Sequence, residues 1–300
     1  MKNNKKKGIT TRAWEYYNRN IAGPSFLVPA IILFALFSWW PISWSMVISF
    51  MDYNVNQPSG WVGLENYRFL LDDPSFPIAW RNVIMFVGLA LIIGFFIPVI
   101  LAITINEMRH LKGFLRLGYY LPAILPVVVI SLIWKYLYNP GPGGLFNTIL
   151  QPFGIGPVHW LFTDPMAIFS MVIMTTWRGA GSTMIIYLAA LQGIPSQLYE
   201  AAEIDGASIW KRIQHITLPQ ILPIMSIILI LQMLNTFKVF AEPWIMTKGK
   251  TVTIMSFIYE KAFHSMNMGV ATAMSMTLFA ALILLSLIYF YIQKKVLSKF

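Results

Sequence analysis

The chain is 300 residues long, and 57% of its residues are hydrophobic while only 11% are charged. A soluble domain carries about 25% charged residues, so this composition excludes an aqueous enzyme, a nucleic-acid-binding protein and a disordered chain. The absence of cysteine also excludes disulfide scaffolds, zinc sites with cysteine ligands and cysteine nucleophiles. We therefore expect a protein whose main solvent is lipid.

Apolar stretches long enough to cross a bilayer as a helix recur about six times. Helices are expected because each satisfies its own backbone hydrogen bonds in lipid, and the sequence lacks the alternating strands of a membrane barrel. The first stretch is too long for a signal-peptide core, so we predict a permanent helix there. The sequence predicts an all-α membrane protein with about six transmembrane helices, near residues 26–50, 83–105, 117–137, 167–190, 221–239 and 269–292.

The positions of Lys and Arg predict the orientation of these helices. Most of them lie in the N-terminal tail, the second and fourth loops and the C-terminus, which all fall on one side of the membrane. Because basic residues concentrate on the cytoplasmic side, we predict a multi-pass protein of the cell membrane with both termini in the cytoplasm. Residues 1–23 are predicted to be a basic cytoplasmic tail and residues 24–300 a transmembrane domain. The net charge of +10 is then a topology signal and not a nucleic-acid footprint.

The fourth loop, residues 194–219, is the most informative segment. SQLYEAAEI favours a short helix, and Gly206 is typical of the left-handed residue that ends one. A second amphipathic segment, ASIWKRIQHI, follows it, and Pro219 is expected to open the next membrane span. From these features alone, the loop either lies on the membrane surface or inserts a helix into a groove of another protein. Small and acidic residues that would form its contact face are Glu200, Ala201, Ala202 and Glu203.

This segment resembles the EAA loop of permease subunits in binding-protein-dependent ABC importers. The pattern is Glu-Ala-Ala, three residues, Gly, nine residues, Ile, any residue, Leu-Pro, and the chain matches it at Glu200, Ala201, Ala202, Gly206, Ile216, Leu218 and Pro219. Residues 119–140, the LAALQGIP stretch before the loop and residues 269–279 are similar to the carbohydrate-importing branch, of the maltose and multiple-sugar type. The resemblance implies a type I ABC importer permease fold whose coupling helix docks on a separate ATPase. It assigns that contact to Glu200, Ala201, Ala202, Glu203, Asp205, Gly206 and Ala207.

The resemblance also implies the function and the partners. The chain would be the transmembrane permease subunit of an ATP-driven importer of a di- or oligosaccharide. Its partners would be a second related permease in a heterodimer, two ATPase subunits and an extracytoplasmic solute-binding protein. The tripeptide GKT at residues 249–251 imitates a Walker A loop, but Trp244 stands where that motif needs Gly. We therefore expect no cofactor in this chain, with ATP and Mg²⁺ bound by the ATPase partners.

The substrate pathway is predicted from polar and aromatic residues inside the spans. Sugar sites combine planar hydrogen-bonding groups with aromatic rings, although such residues also pack helices together and form interface belts. Arg178 either donates hydrogen bonds to sugar or merely reaches a wet cavity. Candidate pathway residues are Arg178, Gln232, Asn235, Asn82, Trp177, Tyr187 and Phe237, with Trp134 as a further possible ring.

Two other functions stay open at this point: a stand-alone secondary sugar carrier and a membrane enzyme acting on lipid-linked sugars. The predicted spans contain no acidic residue, which disfavours an ion-driven carrier because intramembrane carboxylates usually mark ion relays. The four histidines are scattered and form no HExxH motif, so neither a catalytic nor a metal site is predicted. The outer loops, residues 51–79, 138–165 and 240–265, are available to a binding protein.

Overall fold

The computed structural model describes residues 25–54, 60–108, 110–141 and 143–297, so the predicted tail at residues 1–23 lies outside the described part. The fold is all-α, as predicted, apart from a small antiparallel pair in which β1 (Met51–Asp52) lies beside β2 (Gly60–Trp61). Helices α1, α3 and α9 each contain a five-residue π turn. The helices are α1 (Val28–Ile48), α2 (Glu65–Asp72), α3 (Ser75–Glu107), α4 (Lys112–Ile124), α5 (Val127–Leu137), α6 (Leu145–Leu150), α7 (Asp164–Gln192), α8 (Ser196–Ile204), α9 (Ile209–Thr236), α10 (Ala241–Met246), α11 (Ile254–Tyr259) and α12 (Met268–Leu297).

Four of the described helices, α1, α3, α9 and α12, are long and apolar enough to cross a membrane. The pair α4 and α5 makes a fifth crossing if it is one bent span. The fourth predicted span lies within α7, which has 29 residues but is not among the helices that are apolar enough by this measure. The total of six spans therefore stays a prediction.

The third predicted span, residues 117–137, is not one straight helix. It is divided between α4 and α5, whose axes differ by 98°. The residue at the break, Leu125, is extended, with φ −71° and ψ 141°, and the next residue is Pro126. A proline disfavours the helical conformation of the residue before it, which explains why the apolar run bends here.

The predicted start of the fifth span at Pro219 is wrong. Helix α9 begins ten residues earlier, at Ile209, and runs through the proline without a break. The π turn at Ile213–Thr217 lies directly before Pro219, and the amide of Leu218 donates to the carbonyl of Ile213. Because proline has no amide hydrogen and its ring crowds the preceding turn, a wider turn lets the helix continue.

Helix α7 lies at the centre of the packing, where it contacts α3, α4 and α9. A side chain at Gly181 would collide with the backbone carbonyl of Tyr119, so this glycine allows α4 to approach α7 closely. Three buried clusters surround α3: one with α11 and α12, one with α5 and the first half of α7, and one with α9 and the second half of α7. Helix α1 is exposed along almost its whole length and packs against α12 only near its end.

Candidate functional site: an exposed elbow and a polar cavity

Helix α8 ends in a left-handed glycine, as the sequence predicts. Gly206 has φ +72°, and its amide donates to the carbonyl of Glu203 at 3.0 Å. The amide of Ala207 donates to the carbonyl of Ala202 at 2.8 Å. These two bonds form a Schellman motif, which satisfies carbonyls that a helix end otherwise leaves unpaired. The chain thus turns sharply from α8 towards α9.

Side chains hold the elbow, defined as residues 194–212, together and fasten it to the next turn of α9. Glu203 forms an ion pair with Arg212, and the hydroxyl groups of Tyr199 and Thr217 share a hydrogen bond of 3.0 Å. Ser208 caps the start of α9 by accepting from the amide of Lys211 at 3.4 Å. The elbow and the beginning of α9 are therefore one packed unit.

The outer face of the elbow exposes both acidic and apolar groups. Glu200 is exposed and makes no hydrogen bond or ion pair with any described residue, whereas Glu203 is already paired within the chain. Ile204 is 87% exposed and Trp210 is 73% exposed. A short, rigid helix with apolar side chains and a free carboxylate suits insertion into a groove on another protein. The assigned residues Ala201 and Asp205 lie exposed on this elbow, and Ala202 and Ala207 are half-buried.

A cavity of about 630 Å³ lies between α3, α7, α9 and the segment that joins α9 to α10. Its volume falls within the range of small-molecule sites, about 300–1,000 Å³. Helix α9 connects the two features, since it begins in the elbow at Ile209 and reaches the cavity with Gln232 and Asn235. The described residues contain no group of His, Asp and Glu that could hold a metal ion.

Three of the predicted pathway residues line this cavity. Asn235 is exposed into it, and the Nε atom of Arg178 is buried without a hydrogen-bond partner among the described residues. Gln232 also lines the cavity, but its Nε2 atom donates to the carbonyl of Ala90 at 2.7 Å. A side chain at Gly94 would meet that Nε2 atom at 2.8 Å, so the glycine leaves the space in which the amide sits. Gln232 is thus already engaged with α3.

The other predicted pathway residues lie away from the cavity. Asn82 is buried and donates both to Asp164 Oδ2 at 3.2 Å and to the carbonyl of Val252 at 3.0 Å, so it holds helices together. Phe237 and Tyr187 belong to separate buried clusters. Trp177 packs against Trp134 with the two rings tilted by 53° and their centroids 5.5 Å apart, and it lines a smaller apolar pocket beside α4. None of these side chains is placed to contact a ligand in the main cavity.

Several cavity residues escaped the sequence reasoning. Glu242 is only 8% exposed, lines the cavity and has no hydrogen-bond partner among the described residues. Lys238 is exposed at the same end of the cavity. Both lie just beyond the predicted polar pair on α9, at the edge of a span, which is the signal that could have identified them. Four threonines also line the cavity, Thr175, Thr176, Thr183 and Thr236.

Comparison with known proteins gives a consistent result. The chain is 32% identical to the probable ABC transporter permease protein YurN of Bacillus subtilis over 87% of this chain and 92% of that protein. It is 28% identical to the arabinooligosaccharides transport system permease protein AraP of the same organism, over 91% and 88% of the two chains. Its fold matches a crystal structure of a bacterial alginate ABC transporter in complex with an alginate pentasaccharide-bound periplasmic protein, with a TM-score of 0.83, 26% identity and coverage of 95% and 98%.

Residues 94–298, which include the elbow and most of the cavity lining, match the family described as "Binding-protein-dependent transport system inner membrane component". Family membership identifies the chain as a membrane-embedded transport component and not an ATPase. The enzyme alternative is therefore wrong. The chain belongs to the family of inner membrane components of binding-protein-dependent transport systems.

Proposed function

We propose that this chain is the permease subunit of an ATP-driven importer of a di- or oligosaccharide. The names of its relatives support a carbohydrate substrate, because AraP is named for arabinooligosaccharides and the matching structure is an alginate transporter. The periplasmic protein in that structure supports a solute-binding partner for this chain. A second permease and two ATPase subunits complete the proposed assembly, and ATP and Mg²⁺ bind to the ATPases only. No cofactor is proposed for this chain.

One observation carries this proposal: a single unbroken helix, α9, joins an exposed docking elbow to a polar cavity. We expect movement of the elbow to reach the cavity through α9, because Glu203 and Tyr199 fasten α8 to that helix. An ATPase that binds the elbow differently in its open and closed states would therefore shift the equilibrium between inward-open and outward-open permease. The docking contact is assigned to the exposed face around Glu200, Asp205 and Gly206.

In the cavity, Arg178 and Asn235 are the proposed sugar contacts. The guanidinium group donates several hydrogen bonds in a plane, and the amide both donates and accepts, which matches the alternating donors and acceptors of sugar hydroxyls. Glu242 adds a buried acceptor and Lys238 a donor at one end of the cavity. The remaining lining is largely aliphatic, which suits the apolar face of a sugar ring.

For topology, we propose that the elbow lies in the cytoplasm with both chain termini. The basic residues Lys211 and Arg212 in the elbow support this orientation. The transmembrane domain then comprises residues 24–300, and the basic tail before it stays cytoplasmic. The outer loops face the binding protein and the outer leaflet of the bilayer.

The test is charge reversal at the elbow, Glu200→Lys, in the complete complex. We expect normal membrane insertion, weaker co-purification of the ATPase subunit and loss of ATP-driven uptake by proteoliposomes, measured with labelled arabino-, malto- and alginate oligosaccharides. The matched control is Glu65→Lys, since Glu65 is also an exposed glutamate on a short helix but lies in α2, far along the chain from the elbow. The control should leave co-purification of the ATPase subunit unchanged, which is the readout that separates the elbow from the outer loops.

Two results would contradict the proposal. Unchanged ATPase co-purification and uptake in the Glu200→Lys variant would show that the elbow is not the docking site. Sugar uptake by the purified permease alone, driven by an ion gradient, would instead favour a secondary carrier.

A further inference from the structure

The loop before α7 has an unusual composition for a surface segment. Residues 139–163, called here the neutral loop, contain no Asp, Glu, Lys or Arg, and His159 is the one histidine. The other two predicted outer loops, residues 51–79 and 240–265, both carry acidic and basic residues. A protein docking surface usually has a polar rim around an apolar centre. The neutral loop has no charged rim of its own.

The described part of the neutral loop, residues 139–141 and 143–163, is nevertheless well folded. The side chain of Asn147 in α6 is buried and holds the later part of the loop against this helix. It donates to the carbonyl of Val158 at 3.1 Å and accepts from the amide of the same residue at 3.0 Å. The indole of Trp160 donates to the Asn147 Oδ1 atom at 3.1 Å. The rings of Tyr138, Phe146 and Trp160 pack together beneath it, at 5.0 to 6.0 Å between centroids. Exposure of the outer side chains is thus a property of a fixed structure.

The outer face of this folded loop is apolar. Leu145, Ile149 and Phe153 follow each other at intervals of four residues through α6 and the turn after it, and all three are exposed, Phe153 at 76%. Ile155 and Phe162 are also exposed, the latter at 79%. Helix α5, which contacts α6, exposes an apolar row of its own: Val128, Val129, Leu132, Ile133 and Tyr136. The exposed apolar surface therefore continues from a membrane segment onto the loop.

The depth of the loop rests on the proposed topology, in which α7 crosses the membrane between the loop and the elbow. Helix α7 begins at Asp164, directly after the neutral loop, and ends at Gln192, directly before the elbow. Its 29 residues span about 44 Å at 1.5 Å per residue, which equals the thickness of a bilayer with its headgroups, about 40–45 Å. With the elbow in water at one surface, the neutral loop lies at the opposite headgroup boundary. Its irregular backbone excludes a deeper position, because hydrocarbon tolerates no unpaired carbonyls.

We propose that the neutral loop is a lipid anchor: Leu145, Ile149, Phe153 and Phe162 insert at the headgroup–acyl boundary of the leaflet opposite the elbow. The ligand is the phospholipid surface itself, bound through apolar and aromatic side chains without charge attraction, as in aromatic interface belts. The binding protein would then dock on the charged outer loops and not on this one. The anchor also holds the start of α7 at a fixed height in the bilayer.

The absence of cysteine in this chain simplifies a direct test, since a single introduced cysteine can be labelled with an environment-sensitive fluorophore at one position of the permease before the transporter is assembled. Phe153→Cys is labelled in the complete transporter and placed in vesicles of phosphatidylcholine with or without brominated acyl chains. Trp61→Cys is the matched control, because Trp61 is an equally exposed aromatic residue, at 69%, in the charged outer segment. Phe162→Cys is a second test position should the Phe153 variant fail to insert.

We expect brominated lipid to quench the label at position 153 several-fold more than the label at position 61, and aqueous iodide to show the reverse order. Equal iodide quenching at both positions, with no effect of brominated lipid, would overturn the proposal in favour of a water-exposed loop. Protection of position 153 from both quenchers would also overturn it, because a protein partner would then cover the loop. Protection that appears only on addition of the binding protein would overturn it as well and would identify that partner.

Discussion

Replacement of Gly206 isolates the contribution of backbone conformation to the elbow. A Cβ atom at this position would meet nothing within 4 Å, so alanine introduces no clash, but φ is +72° and a left-handed conformation is strained for residues other than glycine. That strain costs about 1–2 kcal/mol. If the strain is released by opening of the turn at position 206, the elbow conformation that binds the ATPase becomes less populated by a factor of about 5–30. We expect Gly206→Ala to weaken ATPase binding by that factor.

Asparagine tolerates the left-handed region better than alanine, so Gly206→Asn should recover most of the lost affinity. The control is Gly118→Ala, because Gly118 is equally unobstructed but lies inside α4 without a positive φ. Binding of the ATPase subunit to permease in nanodiscs, followed by surface plasmon resonance, gives the affinities. An alanine variant that binds normally, or an asparagine variant that is as weak as alanine, would refute the backbone argument.

Two further predictions concern single contacts. Gln232→Leu and Gly94→Ala break one hydrogen bond from opposite sides; such a bond contributes about 1 kcal/mol, so both should change sugar-independent ATP hydrolysis by the complex about fivefold. A rise in the sugar concentration for half-maximal uptake, with the sugar-free rate unchanged, would instead make Gln232 a sugar contact. Burial raises the pKa of Asp73, but hydrogen bonds from Lys261, at 2.9 Å, and from Ser75 together lower it by more. The native pKa of Asp73 therefore lies below the ordinary 3.8. The stabilisation by the Asp73 carboxylate is complete above pH 3.8 and disappears as the pH falls through the lowered native pKa. In the Asp73→Asn variant, the thermal unfolding temperature should therefore depend less on pH over that window. An unchanged pH dependence would contradict this.

The elbow could be predicted from sequence because its determinants are local. A helix-forming run, a glycine after Asp205 and the spacing to Leu218 and Pro219 lie within one short segment. The pairing of Glu203 with Arg212 was not predictable in the same way, since it depends on the angle between α8 and α9. Composition and hydrophobic run length likewise predicted an all-helical membrane protein.

The cavity was predictable only in part because its lining depends on helix rotation. Gln232 and Asn235 share one face of α9, and that face does reach the cavity. Asn82 and Tyr187 are equally polar residues within apolar helices, but their helices turn them towards neighbouring elements, where Asn82 bonds to Asp164 and Val252. No local pattern separates these two outcomes.

The contact between Gln232 and α3 has a mechanical consequence for α9. If the helix pivots there, about 35 Å of it lie on the elbow side, from Ile209, and only about 6 Å on the cavity side, to Thr236, at 1.5 Å per residue. A large displacement of the elbow end of α9 then produces a displacement several times smaller beside Asn235, with a correspondingly larger force. The lever would act at the place where the proposed sugar contact must be broken.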